Sequence, residues 1–133
     1  MMIRSHIFLA ATLAFTFAAA IAEPLPEAPG STIGYPTVAA ALQALRARPD
    51  IHLSVQGGWT LAEDGANHTF WAFSPEGDPS YPSAIKRVIT ERNGDVYIEM
   101  GVDCEASKAA CDKLVIDFQR LNDSIRERVA KGR

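Results

Sequence analysis

The feature that most constrains the fold is a run of short strand-like segments joined by tight turns between residues 51 and 103. The first segment, IHLSVQ, alternates apolar and polar residues, as a strand with one covered face does. Gly57-Gly58 and Asn93-Gly94 are hairpin sequences, which connect neighbouring antiparallel strands. The sequence therefore predicts an antiparallel sheet of about five strands.

Helical patterns lie on both sides of these strands. Pro36 suits the first turn of a helix, and apolar residues follow it at positions 38, 41, 42 and 45. A second helix is predicted over residues 106–130, and its apolar stripe should cover one face of the sheet. The predicted fold is α+β, in the order helix, three strands, loop, two strands, helix, with the helices packed on the sheet. The stripe contains Cys111, Leu114, Val115, Phe118, Leu121, Asn122, Ile125 and Val129.

The third predicted strand, HTFWAF, is apolar on both faces. Phe70 and Ala72 point to one side, and Trp71 and Phe73 point to the other. Neither side can therefore be a plainly solvated face. On the side that the terminal helix leaves free, either the first helix and the proline-rich loop cover the strand, or part of it is an open patch.

The N-terminus has the features of a secretory signal peptide. An arginine-containing start precedes an apolar run from Ile7 to Ala22, and Ala20-Ile21-Ala22 matches a small-x-small cleavage pattern. The run is shorter than the roughly 18–20 residues that a membrane-spanning helix needs. We expect residues 1–22 to be cleaved, which leaves no stable membrane anchor and places the protein in the periplasm or the medium.

The remaining chain divides into two parts. Residues 23–34 form a proline-rich linker, and residues 35–133 form a single α+β domain. The full chain has a net charge of −3, and loss of Arg4 with the signal peptide makes it more negative. This balance does not point to nucleic acid as a partner.

Cys104 and Cys111 are the only cysteines of the sequence. In a continuous helix they would lie about 10.5 Å apart along the axis, beyond the roughly 7 Å between Cα atoms that a disulfide tolerates. A bridge therefore requires Cys104 to precede the helix, and the strand pattern does run to Asp103. Since disulfides persist in exported proteins, we predict a structural disulfide, with free thiols or a metal site as alternatives.

The sequence predicts no metal, no cofactor and no catalytic residue. A redox Cys-x-x-Cys pair is absent, and a zinc site would have to recruit His52 and His68 from distant positions. No phosphate-binding loop, zinc-protease helix or nucleophile-elbow motif occurs. Ser80 and Ser83 fit ordinary turn positions, as does the acidic pair that ends at Asp64.

The most distinctive candidate for binding is the segment WAFSPEGDPSYPSAIKR. Trp71 or Phe73, Tyr81 and the pair Lys86-Arg87 could rim one surface, because aromatic and arginine side chains are favoured at interfaces. Lys86 and Arg87 alternate on their strand, so only one of them can face such a patch. The alternative is that Trp71 and Tyr81 fill the core under the loop.

Several runs of the sequence resemble a family of small exported proteobacterial proteins of unassigned function. The resemblance covers most of the chain after the signal peptide and implies location and compactness, without a catalytic residue. Some members are labelled DnaJ-type chaperones, but the His-Pro-Asp motif of a J-domain is replaced here by Arg48-Pro49-Asp50. The runs are GYPTVAAALQAL, QGGWT, WAFSP, YPSAIKR and CEASKAACDKLVIDFQRLN.

Two functional hypotheses follow from the sequence. The leading one is a non-catalytic periplasmic binding or interaction module, such as an envelope accessory factor, an inhibitor or an immunity protein, with another envelope protein as its partner. The alternative is a small periplasmic hydrolase with an unrecognised active site. The sequence leaves the oligomeric state open.

Overall fold

The computed structural model describes residues 32–132. The predicted signal peptide and the linker up to residue 31 lie outside the described residues. Helix α1 precedes five strands, and helix α2 follows them, as the sequence predicts. The elements are α1 (Val38–Ala47), β1 (His52–Gln56), β2 (Trp59–Asp64), β3 (Thr69–Phe73), β4 (Ser83–Arg92), β5 (Asp95–Cys104) and α2 (Lys108–Lys131).

The strands form one antiparallel sheet in the order β1-β2-β3-β4-β5. Each strand pairs with the next one along the chain, because short turns join them and the one longer loop lies between β3 and β4. Residues Asn93 and Gly94 both have positive φ in the β4–β5 turn, which is the conformation that the Asn-Gly pair adopts easily. The predicted α+β fold is confirmed.

Helix α1 packs on one face of the sheet, over its central strands. Thr37 caps its N-terminus, with its side chain accepting a hydrogen bond from the Ala40 amide at 3.1 Å. The apolar face of α1 then packs into the main core together with residues of the sheet. This core contains Ile33, Tyr35, Val38, Ala41, Ala44, Leu45, Ile51, Ala62, Trp71, Phe73 and Ala84.

The segment before α1 belongs to the folded domain. Ile33 is fully buried, and its carbonyl oxygen accepts a hydrogen bond from Trp71 Nε1 at 3.5 Å. Thr32 donates through its hydroxyl to the Val102 carbonyl on β5 at 2.9 Å. A Cβ atom at Gly101 would lie 1.7 Å from the Thr32 carbonyl oxygen, so this close approach requires glycine. The linker predicted through residue 34 is therefore too long, because residues 32–34 are packed on the domain.

Arg48 ties the end of α1 to the β2–β3 turn. Its guanidinium donates to Asp50 at 2.6 Å and to the buried Asp64 carboxylate at 3.0 Å. Asn67 also donates to Asp64, from its backbone and from its side chain. The hydrogen bonds from Asn67 and Arg48 hold the pKa of Asp64 below its usual range, although burial opposes this. The tripeptide that begins at Arg48 thus has a structural role.

The disulfide predicted from the cysteine spacing is confirmed. Cys104 is the last residue of β5, and its Cα lies 5.8 Å from that of Cys111 in the first turns of α2. Ser107 caps α2 by accepting from the Ala110 amide. The bridge therefore fixes the direction in which α2 leaves the sheet.

Helix α2 lies on the opposite face of the sheet from α1 but covers it incompletely. Within the described part of α2, only Leu114 and Asn122 are buried. Leu121 and Val129 of the predicted apolar stripe are more than one third exposed. Leu114, Phe118 and Leu121 of the stripe line a groove between α2 and the sheet, and this groove is the candidate site.

Candidate functional site

The two helices lie on opposite faces of strand β3 and so account for its apolar side chains on both faces. Trp71 and Phe73 are each 2 % exposed and lie in the core beneath α1, whereas Phe70 and Ala72 face α2. The structure therefore does not form the predicted open patch around Trp71 or Phe73. The physical reason is that α1 and the segment containing Ile33 cover the part of this face that carries both side chains.

The other residues of the predicted patch lie apart from one another. Tyr81 is 44 % exposed in the β3–β4 loop, so it does not fill the core either. Lys86 is cross-strand partner of Trp71, and its ammonium lies 5.5 Å from the centre of that ring. Arg87 points to the opposite face, where Phe70 is its cross-strand partner. The alternation thus assigns the two cations to different surfaces.

A groove of about 580 Å³ lies on the face that carries Arg87. We call it the α2 groove, because α2 forms one wall, the sheet forms the floor and the β3–β4 loop closes one end. Phe118 on the wall contacts Trp59 on the floor, and the centres of their rings lie 5.7 Å apart. The lining residues are Gln56, Trp59, Leu61, Ala72, Asp78, Pro79, Ser80, Arg87, Ala110, Lys113, Leu114, Asp117, Phe118 and Leu121.

Arg87 is the distinctive polar group of the α2 groove. Its guanidinium carbon lies 5.7 Å from the centre of the Phe118 ring. Its Nε is buried and has no hydrogen-bond partner among the described residues, and no carboxylate of residues 32–132 forms an ion pair with it. Burial lowers the pKa of Arg87, because the charged form is incompletely solvated. Because Arg87 lines the groove, an anion bound there would pair with its charge.

The other charged residues of the α2 groove already have partners. Lys113 and Asp117 form an ion pair one turn apart on α2. Asp78 accepts hydrogen bonds through Oδ1 from the Ser80 amide at 2.8 Å and from the Ser80 hydroxyl at 2.7 Å. Among the described residues that line the groove, Arg87 is therefore the cation without an ion-pair partner.

The loop that closes the groove is held by a cluster of buried hydroxyls. Ser83 donates from its amide to Ser74 Oγ at 2.9 Å, and the hydroxyls of these two serines lie 3.0 Å apart. Ser80 Oγ lies 3.2 Å from Ser83 Oγ. The Glu105 amide, next to the disulfide, donates to the Pro82 carbonyl at 2.9 Å. These serines anchor the loop, and the strand-to-helix junction supports it.

The geometry does not assemble a catalytic or metal site from the residues considered in the sequence. His52 and His68 are exposed and do not line the groove. Within residues 32–132, His, Cys, Asp and Glu side chains form no group of three that could hold a metal ion. In the same range, neither helix combines the length and the apolar character needed to cross a bilayer.

Sequence reasoning found Arg87 but missed its surroundings. The strand alternation places Trp59 and Leu61 on one face, and the α2 stripe includes Leu114 and Phe118. Each pattern alone is typical of core residues. That the two apolar surfaces stand apart, with a cation between them, depends on how far α2 lies from β2 and β3.

Comparison with known proteins adds no assignment to this geometry. No protein-family model matches the chain, and neither a curated protein nor a solved structure shows significant similarity to it.

Proposed function

We propose that the protein is an exported, non-catalytic binding module that holds the apolar part of a small ligand in the α2 groove. The observation that carries the proposal is an open groove with aromatic and aliphatic walls, between a rigid sheet and a helix fixed by a disulfide. Its volume of about 580 Å³ falls in the usual range of roughly 300–1,000 Å³ for small-molecule sites.

The composition of the α2 groove also resembles that of binding sites. Such sites have mostly apolar walls and a few polar groups that orient the ligand. Here Trp59, Leu61, Leu114 and Phe118 are apolar lining residues, and Arg87 provides a cation without a carboxylate partner among the described residues. A groove that served only as a packing defect would not require a half-buried cation in its lining.

The alternative of a small hydrolase receives less support. Ser80 is the only hydroxyl-bearing residue that lines the groove in the described chain, and the residue is only 4 % exposed. Its hydroxyl donates to Asp78, and both histidines of residues 32–132 lie elsewhere. A serine nucleophile needs a positioned base and an accessible oxygen, and these contacts provide neither.

Export and the nature of the partner remain part of the proposal. The signal-like N-terminus supports export, and the disulfide is compatible with an oxidising compartment. Another envelope protein remains the predicted protein partner, and capture from periplasmic extract with the mature domain tests that prediction.

The proposed groove binding can be tested with a neutral apolar probe. Ala110 lines the α2 groove, whereas the neighbouring Ala109 is exposed and does not. We expect the dye Nile red to bind the wild type, Ala110→Phe to reduce its fluorescence gain several-fold, and Ala109→Phe to leave it unchanged. Circular dichroism checks that both variants fold. Equal dye binding by all three proteins would overturn the proposal.

A further inference from the structure

We infer, building on the proposed function, that the ligand of the α2 groove is a small amphipathic carboxylate. Its carboxylate would bind the Arg87 guanidinium, and its hydrocarbon part would lie along Trp59, Leu114 and Phe118. The inference concerns the chemical class of the ligand, which groove binding alone does not specify.

The charge of the ligand follows from the state of Arg87. A guanidinium carries five N–H donors, and planar carboxylates match two of them at once. In this groove the Arg87 guanidinium lies beside the Phe118 ring, its Nε has no hydrogen-bond partner among the described residues, and no carboxylate of residues 32–132 pairs with its charge. A bound carboxylate would pair the Arg87 charge, whereas a cationic ligand would be repelled.

The remaining acidic groups of the groove do not fulfil this role. Asp117 forms an ion pair with Lys113, and Asp78 accepts two hydrogen bonds from Ser80. Neither is among the ion-pair partners of Arg87. The charge complementarity of the site therefore favours one negative group, placed beside Arg87.

The position of the groove on the sheet indicates that the remainder of the ligand is a hydrocarbon. Its floor is formed by β2, β3 and β4, which pair with strands on both sides, so their backbone groups are already used. A peptide in this position would bring N–H and C=O groups that find few partners, and burying unpaired polar groups is unfavourable. A hydrocarbon chain carries no such groups. The geometry thus favours a fatty-acid-like molecule over a peptide terminus.

The first experiment compares decanoate with decanamide, which has nearly the same shape and no charge, by isothermal titration calorimetry of the wild-type mature domain. Hydrogen bonds to charged groups contribute about 1.5–3 kcal/mol, so decanoate should bind roughly 10- to 100-fold more tightly. Decylammonium should bind more weakly than decanamide. Equal affinity for decanoate and decanamide would overturn the inference.

The second experiment assigns the effect to Arg87. Arg87→Gln should remove the preference for decanoate, so that this variant binds decanoate and decanamide with affinities within about twofold of each other. Lys86→Gln is the matched control, because it removes a neighbouring cation from the opposite face of the same strand. Arg87→Lys should retain part of the preference. Loss of the preference in Lys86→Gln, or its retention in Arg87→Gln, would contradict the assignment.

The failures of the two proposals are distinguishable. If Nile red binding depends on Ala110 but decanoate shows no advantage over decanamide, the groove binds ligands and the carboxylate inference is wrong. If Ala110→Phe does not change Nile red binding, the groove itself is not the site. Should Arg87→Gln fail to fold, the comparison of the two ligands on the wild type still decides the inference.

Discussion

Replacing Trp71 with alanine distinguishes a core tryptophan from one that belongs to a binding surface. Trp71 is 2 % exposed, lies beneath α1 and donates a hydrogen bond to the Ile33 carbonyl. Truncating a buried tryptophan costs about 3–5 kcal/mol, because it removes apolar contacts and leaves a cavity. Since domains of this size have about 5–15 kcal/mol of total stability, we expect a severely destabilised protein.

The assay is urea unfolding of the mature domain followed by circular dichroism. At an m value of about 2 kcal/mol per molar urea, the Trp71→Ala midpoint should fall by roughly 2 M. Trp59→Ala is the matched control, because Trp59 is only partly buried and lies in the α2 groove. It should lose about 1–2 kcal/mol. If Trp71→Ala does not fold, Trp71→Phe provides a milder variant whose loss can be measured.

Comparing the stability of the Trp71→Ala and Trp59→Ala domains tests whether Trp71 belongs to the core. A Trp71→Ala domain as stable as the Trp59→Ala domain would show that Trp71 does not fill the core. In that case the assignment of Trp71 to the core beneath α1 would be wrong, and Trp71 would again be a candidate for the binding surface predicted from the sequence.

Three further predictions concern the Arg48 network, the disulfide and export. Asp64 has a lowered pKa, so its contribution to the free energy of unfolding is present above the unfolded pKa of about 3.9 and is lost as pH falls through the folded pKa. In urea unfolding, Asp64→Asn should therefore be less stable than the wild type at pH 7 and should lose less stability on acidification. Asp50→Asn is the milder control. Replacing Cys104 and Cys111 together with alanine should lower stability by about 2–3 kcal/mol in the same assay, as expected for a short loop, and the unreduced wild type should take up no iodoacetamide. Mature protein from a periplasmic fraction should begin at Glu23, and its intact mass checks this.

Each of these has a contrary outcome. An Asp64→Asn domain with the wild-type pH profile would show that the carboxylate does not stabilise the fold when ionised. Alkylation of both thiols in the exported protein would exclude the disulfide. A mass that retains residues 1–22 would exclude cleavage and support an N-terminal anchor.

The local elements of the fold were predictable because they depend on neighbouring residues. The strand alternation, the Asn93-Gly94 turn and the stripe of α2 identify the elements and their order. Short turns then leave antiparallel pairing of sequential strands as the simple arrangement. The disulfide was predictable for a similar reason, since the geometry of a helix requires Cys104 to lie before α2.

Boundaries were less predictable where distant residues determine them. The segment EPLPEAPGSTIG has no apolar period, so the sequence predicts a linker through Gly34. In the structure, Ile33 is buried beside Trp71 and Thr32 contacts β5. One apolar residue in a proline-rich segment has no periodic signal, and only the surface on which it packs shows that it belongs to the core.

By itself, the sequence determined the order of the elements, the disulfide and the fact that the third strand is apolar on both faces. Only the tertiary structure decided which face is closed. Alternation places Lys86 and Arg87 on opposite faces of β4, but the register that pairs Lys86 with Trp71 and Arg87 with Phe70 is seen only in the structure. Helix α1 covers Trp71 and Phe73 at the centre of one face, whereas α2 leaves an open groove, lined by Arg87, on the other. The gap between a helix and a sheet is set by side-chain contacts among residues far apart in the chain, and no local pattern encodes it.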